Sequence, residues 1–143
     1  WVNTTGAIST VAGTAADRAW ASVTAYSGGS VATSSAYKNI AFPTGWAAKV
    51  AAGTVGFILR AGAHNANQDD DVTVTVRLNN GSTNPTVTTG RLQLVFQMEF
   101  IELTGAVPSD TTSIDIVLTF HREDGTANDG AVDNISMILF EQL

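Results

Sequence analysis

Aromatic and planar polar side chains give this chain its clearest capacity for chemistry, because together they can bind a sugar. The apolar face of a pyranose ring stacks on an aromatic side chain, while planar polar groups hydrogen-bond its hydroxyls. The candidate stacking residues are Trp20, Tyr26, Tyr37 and Trp46. The candidate polar partners are Arg60, His64, His121 and Arg122.

Trp46 is the favoured stacking residue of this set. It follows the turn sequence FPTG, and an aromatic residue in a loop has less packing reason to exist than one in a strand. Trp20 alternates with small residues in AWASV, which is typical of a strand whose tryptophan faces the core. The predicted sugar-binding residues are Trp46, Tyr37, Tyr26, Arg60, His64 and Arg122.

Catalytic arrangements are poorly represented, so the sequence predicts that the chain is not an enzyme. Glycoside hydrolysis uses two carboxylates across a cleft, but Glu99 and Glu102 are three positions apart and would lie on opposite faces of a regular strand. The sequence contains no G-x-S-x-G nucleophile motif with which His64 or His121 could form a catalytic triad. Cysteine is absent, which removes thiolate chemistry and Cys-ligated zinc.

Length and charge limit the classes of partner. A chain of 143 residues can bury one sizeable core, which predicts a single β-sandwich domain over residues 1–143. The net charge of -6 argues against nucleic acid, which is bound mainly by Lys and Arg. No apolar run approaches the roughly 18 residues of a membrane span. The chain starts at Trp1, and we expect it to be a processed product or a piece of a longer protein.

Strands with alternating apolar residues are the elements that must position these side chains. The segments DVTVTVRL, SIDIVLTFH and TVGFILRAG each place every second apolar residue on one face. RLQLVFQMEFIEL begins in the same phase through Phe96, Met98 and Phe100 but then switches to Ile101 and Leu103. This switch predicts a bulge or bend near Phe100.

Further strands are predicted in GAISTVA, RAWASVTAY, ATSSAYKNIAF and VDNISMILFEQL, which brings the count to about eight. Turn sequences such as SGGS, NNGSTNP and VPSDTTS separate them. WAAKVAAG predicts one or two helical turns that end at Gly53. The fold class is therefore all-β, and a jelly-roll sandwich of about eight antiparallel strands fits better than a seven-stranded immunoglobulin domain with its Cys-Trp-Cys core.

The C-terminal part of the chain resembles galactose-binding-like and carbohydrate-binding-module jelly rolls. The resemblance is carried by LTGAVPSDTTSIDIVLTFHREDGTANDGAVDNISMIL, with its L-x-G-x-V-P turn and final V-D-N-I-S, and by GTVGFILRAGAHNANQDDDVTVTVRL. It covers roughly residues 53–140. Similar domains occur in secreted glycan-active enzymes and phage tail proteins. The resemblance implies a lectin-like module that binds a glycan or cell-surface polysaccharide on an extracellular or virion protein.

Asp133 lies in the V-D-N-I-S motif, where related domains hold structural calcium. Their second ligand comes from an N-G-x-F-E segment, which is absent from WVNTTGAISTV. Calcium takes six to eight oxygens, so other groups would have to complete the site. Alternatively, Asp133 and Asn134 bond backbone groups where a loop enters a strand, and both interpretations stay open. In a separate part of the chain, the acids Asp69, Asp70 and Asp71 predict a solvated loop.

A structural function is the alternative to a binding module. The low fraction of charged residues, 14%, favours a virion or surface-fibre subunit that assembles as a homo-oligomer and binds no small ligand. Such a subunit should present an extended apolar face from residues such as Ile58, Val117 and Ile138. A binding module should instead present an exposed Trp or Tyr in a groove.

Overall fold

The computed structural model describes residues 1–6, 9–12, 24–65, 70–93 and 98–142. Within these ranges, no helix is long and apolar enough to cross a membrane. The elements run in the order β1 (Val2–Thr5), β2 (Ser9–Ala12), β3 (Thr24–Gly29), β4 (Thr33–Ala41), α1 (Ala47–Ala51), β5 (Val55–Asn65), β6 (Asp71–Asn79), β7 (Thr86–Thr88), β8 (Leu92–Gln93), β9 (Met98–Ala106), β10 (Ser113–His121) and β11 (Asn128–Glu141).

The strands form two antiparallel sheets. One sheet has the order β1-β4-β10-β6-β7, with β8 also paired to β6, and the other has the order β2-β3-β11-β5-β9. The predicted jelly-roll β-sandwich is confirmed. The strand count exceeds the expected eight because the sequence pattern does not reveal β1 and β7 and because RLQLVFQMEFIEL contributes two strands, β8 and β9.

The core lies between the sheets and is built by the alternation that the sequence shows. Val72, Val74, Val76 and Leu78 of β6 are all buried, as are the apolar residues that β5 and β10 turn inward. Each fully buried side chain of this size contributes about 1.5–3 kcal/mol through the hydrophobic effect. The largest are Phe57, Phe120, Leu59, Ile114 and Leu118. Helix α1 also forms as predicted, and Gly53 follows it with a positive φ of 70°.

Strand β9 corrects the prediction of a bulge near Phe100. Its pairing with β5 is unbroken from Ala106, opposite Gly56, to Met98, opposite His64. Ile101 faces the core, so Phe100 points to the outer surface. The predicted bulge is wrong because β9 takes the phase of Ile101 from Met98 onward. The alternative, a bend, falls on residues 94–97 between β8 and β9, which lie outside the described residues.

The solvated loop predicted for the acidic run is wrong for Asp70 and Asp71, which are both fully buried. Asp70 accepts hydrogen bonds from the backbone N–H groups of Glu123 at 2.7 Å, Asp124 at 3.3 Å and Asp129 at 2.9 Å. A buried carboxylate needs such partners to offset the loss of water. Asp70 therefore fastens the loop before β11 to the start of β6. Asp69 lies outside the described residues.

Candidate functional site

A groove on the outer face of the five-stranded sheet is the candidate site. Its volume is about 210 Å³, and it lies over β5 and β9 beside the middle of β11. It combines an aromatic ring, a cation, an anion and an amide. The lining residues are Arg60, Ala61, Gly62, Phe100, Ile101, Glu102 and Asn134.

The register of β5 and β9 creates the groove. Gly62 lies directly opposite Phe100, and Arg60 lies opposite Glu102. Gly62 is itself buried, so the Phe100 ring is the exposed member of this cross-strand pair. Phe100 is 76% exposed, which forgoes the stabilisation that burial of a phenylalanine gives. A large exposed apolar residue among polar neighbours indicates an interaction site.

Arg60 and Glu102 form an ion pair at the side of this ring. Arg60 Nε donates to Glu102 Oε2 at 2.8 Å, and the two side chains are 57% and 53% exposed. At such exposure the pair adds at most about 1 kcal/mol to stability. The hydrogen bond uses Nε, so both terminal amino groups of the guanidinium remain donors toward the groove.

A bulge in β11 brings Asn134 to the groove. The pairing of β11 with β5 shifts between Asp133 and Ser136, and Asn134 adopts a positive φ of 51°. Asparagine tolerates this left-handed conformation better than most residues. The Asn134 N–H donates to Asp133 Oδ1 at 2.6 Å, which is the local backbone bond that Asx residues make readily. Asp133 thus braces the bulge that carries Asn134.

The donor set around Asp133 does not by itself make a calcium site. Over the described ranges, no group of three or more His, Asp or Glu side chains is placed to hold a metal ion. Calcium takes six to eight oxygens, most of which would have to come from elsewhere. The calcium ion therefore stays a prediction.

The sugar-binding residues predicted from the sequence do not form one cluster. Arg60 lines the groove, and His64 lies further along the same strand but is almost fully buried. Arg122 donates to the backbone oxygens of Ser30 at 2.6 Å and Thr126 at 3.1 Å, so it joins two loops. Roles in sugar binding for His64 and Arg122 stay predictions.

The predicted aromatic residues lie elsewhere. Trp46 immediately precedes α1 and packs partly against the core, with Lys49 Nζ 5.4 Å from the centre of its ring. Tyr26 also packs against the core, and its ring centroid is 5.0 Å from that of Trp1. Trp20 lies outside the described residues. Stacking by Trp46 and Tyr26 stays a prediction that no contact of the groove supports.

Tyr37 faces outward from the opposite, six-stranded sheet. The Arg77 guanidinium lies over its ring at 5.7 Å and donates to Asp115 Oδ2 through Nη2 at 2.5 Å. Asn39 donates to Asp115 Oδ1 at 2.6 Å. Burial alone would raise the pKa of Asp115, but the hydrogen bonds from Asn39 and Arg77 outweigh it and hold the pKa below its ordinary value.

A second cavity, of about 350 Å³, lies at the end of the six-stranded sheet and is lined by Asp71, Arg91, Gln93 and Glu123. Arg91 pairs with both Asp71 and Glu123, and His121 Nδ1 lies 2.9 Å from Asp71 Oδ1. These side chains satisfy one another and hold β8 and the loop after β10 together. They offer no aromatic face for a sugar.

The apolar residues expected of a structural subunit are divided between the sheets. Ile58 and Ile138 are cross-strand partners on the same outer face as Phe100, and Ile138 is 46% exposed. Val117 faces outward from the six-stranded sheet, beside Tyr37. All three point away from the core, as predicted, but they do not share one surface.

Phe100, Gly62 and Asn134 are the groove residues that the sequence interpretation missed. A signal for Phe100 was present, because Phe100 and Ile101 are adjacent and only one of two adjacent strand residues can face the core. Gly62 gave a weaker signal, since a glycine inside a strand often marks a close approach by another group. The sequence suggested Asn134 only as a partner for backbone groups.

The fold of the chain is that of carbohydrate-binding modules. No family model and no curated protein matches the sequence. A family 61 carbohydrate-binding module in complex with β-1,4-galactotriose is similar, with 15% identity and a TM-score of 0.57 over 95% of this chain and 83% of that one. A family 16 module has 15% identity and a TM-score of 0.62 over 92% and 84%.

A viral protein shares the same fold. The enzymatically active domain of tailspike protein 4 from bacteriophage CBA120 is similar, with 11% identity and a TM-score of 0.67 over 97% of this chain and 19% of that one. These identities are low, so the similarities establish the jelly-roll fold and leave the ligand open.

Proposed function

We propose that this chain is a non-catalytic carbohydrate-binding module and that the groove beside Phe100 binds the glycan. The observation that carries the proposal is the exposure of Phe100, whose ring lies opposite Gly62 in the sheet and among the polar side chains of the groove. The fold shared with carbohydrate-binding modules supports it, and one of those modules was solved with β-1,4-galactotriose.

Binding would combine stacking with hydrogen bonds. The Phe100 ring offers an apolar face to the C–H face of a pyranose. The terminal amino groups of Arg60 donate to hydroxyl oxygens, Glu102 accepts from hydroxyl hydrogens, and the Asn134 amide does both. A few placed polar groups around an aromatic face are the usual composition of a small-ligand site.

A cell-surface or extracellular polysaccharide is the ligand class that we propose, in an extracellular or virion setting. The shared fold with carbohydrate-binding modules and with a phage tailspike domain supports this setting. The module would anchor without cleaving, because Glu99 and Glu102 point to opposite faces of β9 and cannot flank the same glycosidic bond.

A glycan array followed by calorimetric titration of the tightest glycan tests the proposal. We expect Phe100→Ala to weaken binding by about 2 kcal/mol, or roughly thirtyfold in Kd, as for an aromatic residue at the centre of a binding site. Phe100→Tyr should bind nearly as well as the wild type because it keeps the ring. Unchanged binding by Phe100→Ala would overturn the assignment of the groove.

Val2→Ala is the matched control. Val2 is also an exposed apolar strand residue, but it belongs to β1 of the other sheet. Its truncation should leave glycan affinity unchanged. Thermal unfolding of both variants separates a loss of binding from a loss of folding.

A structural surface-fibre or virion subunit is the alternative function. It is favoured by the exposed Ile138 and its partner Ile58, which extend the apolar part of the outer face away from Phe100. Exposed apolar surface of this kind can pack against another copy of the chain. Light scattering decides between the two: a stable trimer or larger assembly without glycan binding supports the subunit, and a monomer that binds glycan excludes it.

A further inference from the structure

We infer that the groove selects uncharged glycans over glycans that carry carboxylates, and that the Arg60–Glu102 pair sets this selectivity. The inference rests on the proposed glycan-binding function of the groove. It concerns the class of glycan, which neither the fold nor the exposure of Phe100 determines.

The charges around the groove favour a neutral ligand. Among its lining residues, all of which belong to the described part of the chain, Arg60 is the cation and Glu102 the anion. Asp133, only 7% exposed, adds a second carboxylate next to Asn134 and directly opposite Gly62 in the sheet. Two carboxylates thus accompany one guanidinium, on a chain whose net charge is -6.

Glu102 already accepts a hydrogen bond from the edge of the Arg60 guanidinium that would bind the carboxylate of an acidic sugar. A carboxylate is bound best by two parallel N–H groups of one guanidinium edge. Because Nε donates to Glu102 Oε2 at 2.8 Å, the edge that contains Nε is in use. An incoming uronate must either displace Glu102 or lie beside it as a like charge, and like charges brought together oppose binding.

A neutral sugar meets no such conflict. Each of its hydroxyls both donates and accepts a hydrogen bond, and the ion pair offers donors on Arg60 next to acceptors on Glu102. Neighbouring hydroxyls of one ring can therefore bridge the pair without breaking it. The pair therefore weakens the binding of acidic glycans and also contributes contacts to neutral ones. Selectivity is the difference between the two binding free energies, so both effects increase it.

The test uses an array that carries neutral oligosaccharides and their C6-oxidised counterparts, in which each primary alcohol has become a carboxylate. We expect neutral glycans to bind and the oxidised form of the tightest neutral glycan to bind on the order of fivefold more weakly, since interactions between exposed charges are weak. Binding of the neutral glycan should not depend on salt, because no net charge is neutralised.

Glu102→Gln is the informative variant. It keeps the shape and an acceptor oxygen but removes the negative charge, so the ratio of the affinity for the oxidised glycan to the affinity for the neutral glycan should rise severalfold. Added salt should then weaken the binding of the oxidised glycan to this variant, because salt screens the attraction between Arg60 and the glycan carboxylate. Glu141→Gln is the matched control, because Glu141 also forms an exposed ion pair, with Lys49 at 2.5 Å, near the other end of β5.

The outcomes separate the inference from the proposed function. If the oxidised glycan binds the wild type as tightly as its neutral form, or if only acidic glycans bind, the selectivity is wrong and glycan binding stands. The same conclusion follows if Glu102→Gln and Glu141→Gln behave alike. If no glycan of either kind binds, the proposed function fails and the inference fails with it.

Discussion

Gly62 of β5 and Phe100 of β9 are direct cross-strand partners on the outer face of the five-stranded sheet. The pair sets a largely exposed phenylalanine beside a residue without a side chain. Gly62 is itself buried, so the aromatic ring is the part of this pair that faces solvent. A large apolar side chain that stays exposed among polar neighbours indicates an interaction surface.

A side chain added at Gly62 should disturb the groove. We expect Gly62→Val to weaken glycan binding about tenfold, because Gly62 is buried opposite Phe100 and the added methyl groups would move the aromatic ring. The fold should persist, since valine is favoured in strands and Gly62 is not among the residues with a positive φ. Calorimetric titration gives the affinity and circular dichroism verifies the fold.

Thr104→Val controls for the added apolar group. Thr104 lies two pairs beyond the Arg60–Glu102 pair on the same face, opposite Ile58. Its substitution should leave glycan affinity unchanged. Glycan binding by Gly62→Val at wild-type strength would show that binding does not depend on the position of the Phe100 ring over this part of the sheet.

Asp133 has two candidate roles that two substitutions distinguish. Asparagine keeps an oxygen for the Asn134 N–H but lacks the negative charge that strengthens calcium binding, whereas alanine removes both. Because Asp133 accepts the Asn134 N–H at 2.6 Å, we expect Asp133→Ala to lower the free energy of unfolding by about 1 kcal/mol and to weaken glycan binding. Asp133→Asn should lower the free energy of unfolding and the affinity for glycan much less.

Thermal unfolding with calcium or with a chelator completes this test. If Asp133 acts through hydrogen bonding and not through a metal, the wild type melts at the same temperature in both conditions. A melting temperature that rises with calcium in the wild type and not in Asp133→Asn would instead establish the metal site that the family resemblance implies.

The ionised carboxylate of Asp115 should increase the free energy of unfolding at neutral pH. Burial raises its pKa, but hydrogen bonds from Asn39 and Arg77 outweigh the burial, so the folded-state pKa lies below the ordinary value. A carboxylate with a depressed pKa stabilises the fold above its unfolded-state pKa, and this contribution is lost as the pH falls through the folded-state value. We therefore expect Asp115→Asn to be less stable than the wild type at neutral pH.

The difference between Asp115→Asn and the wild type should shrink as the pH is lowered past the ordinary aspartate pKa near 3.8. Urea unfolding at a series of pH values measures this change. A difference that stays constant down to the acid range would mean that the charge of Asp115 does not contribute. Asp110→Asn, which alters an exposed carboxylate hydrogen-bonded to Asn80, provides the control.

The sequence predicted those features that depend on nearby residues. Alternation within β6 and β10 is a local property, so their inner faces and the jelly-roll class followed from it. The outward direction of Phe100 depends on the pairing of β9 with β5, which is distant in sequence, and the local pattern wrongly allowed a bulge at this position. Asp70 is buried by backbone groups of residues 123–129, and a run of three acids contains no sign of that contact.

Asp129 offers a stabilising substitution whose effect depends on pH. Its pKa is raised by burial and by the negative charge of Asp70, whose carboxylate accepts the Asp129 backbone N–H at 2.9 Å. A carboxyl with a raised folded-state pKa destabilises the fold when ionised, and the cost fades as the pH falls through the raised value and the group is protonated. Asp129→Asn removes this charge and keeps the backbone N–H that Asp70 requires.

We therefore expect Asp129→Asn to raise the melting temperature at neutral pH, and we expect the gain to disappear in the acid range, where the wild-type carboxyl is already neutral. Scanning calorimetry at several pH values measures both. Asp124→Asn is a suitable control, because Asp124 also donates its backbone N–H to Asp70 but is exposed. A gain for Asp129→Asn that is the same at every pH would show that the substitution acts through packing and not through the repulsion between Asp129 and Asp70.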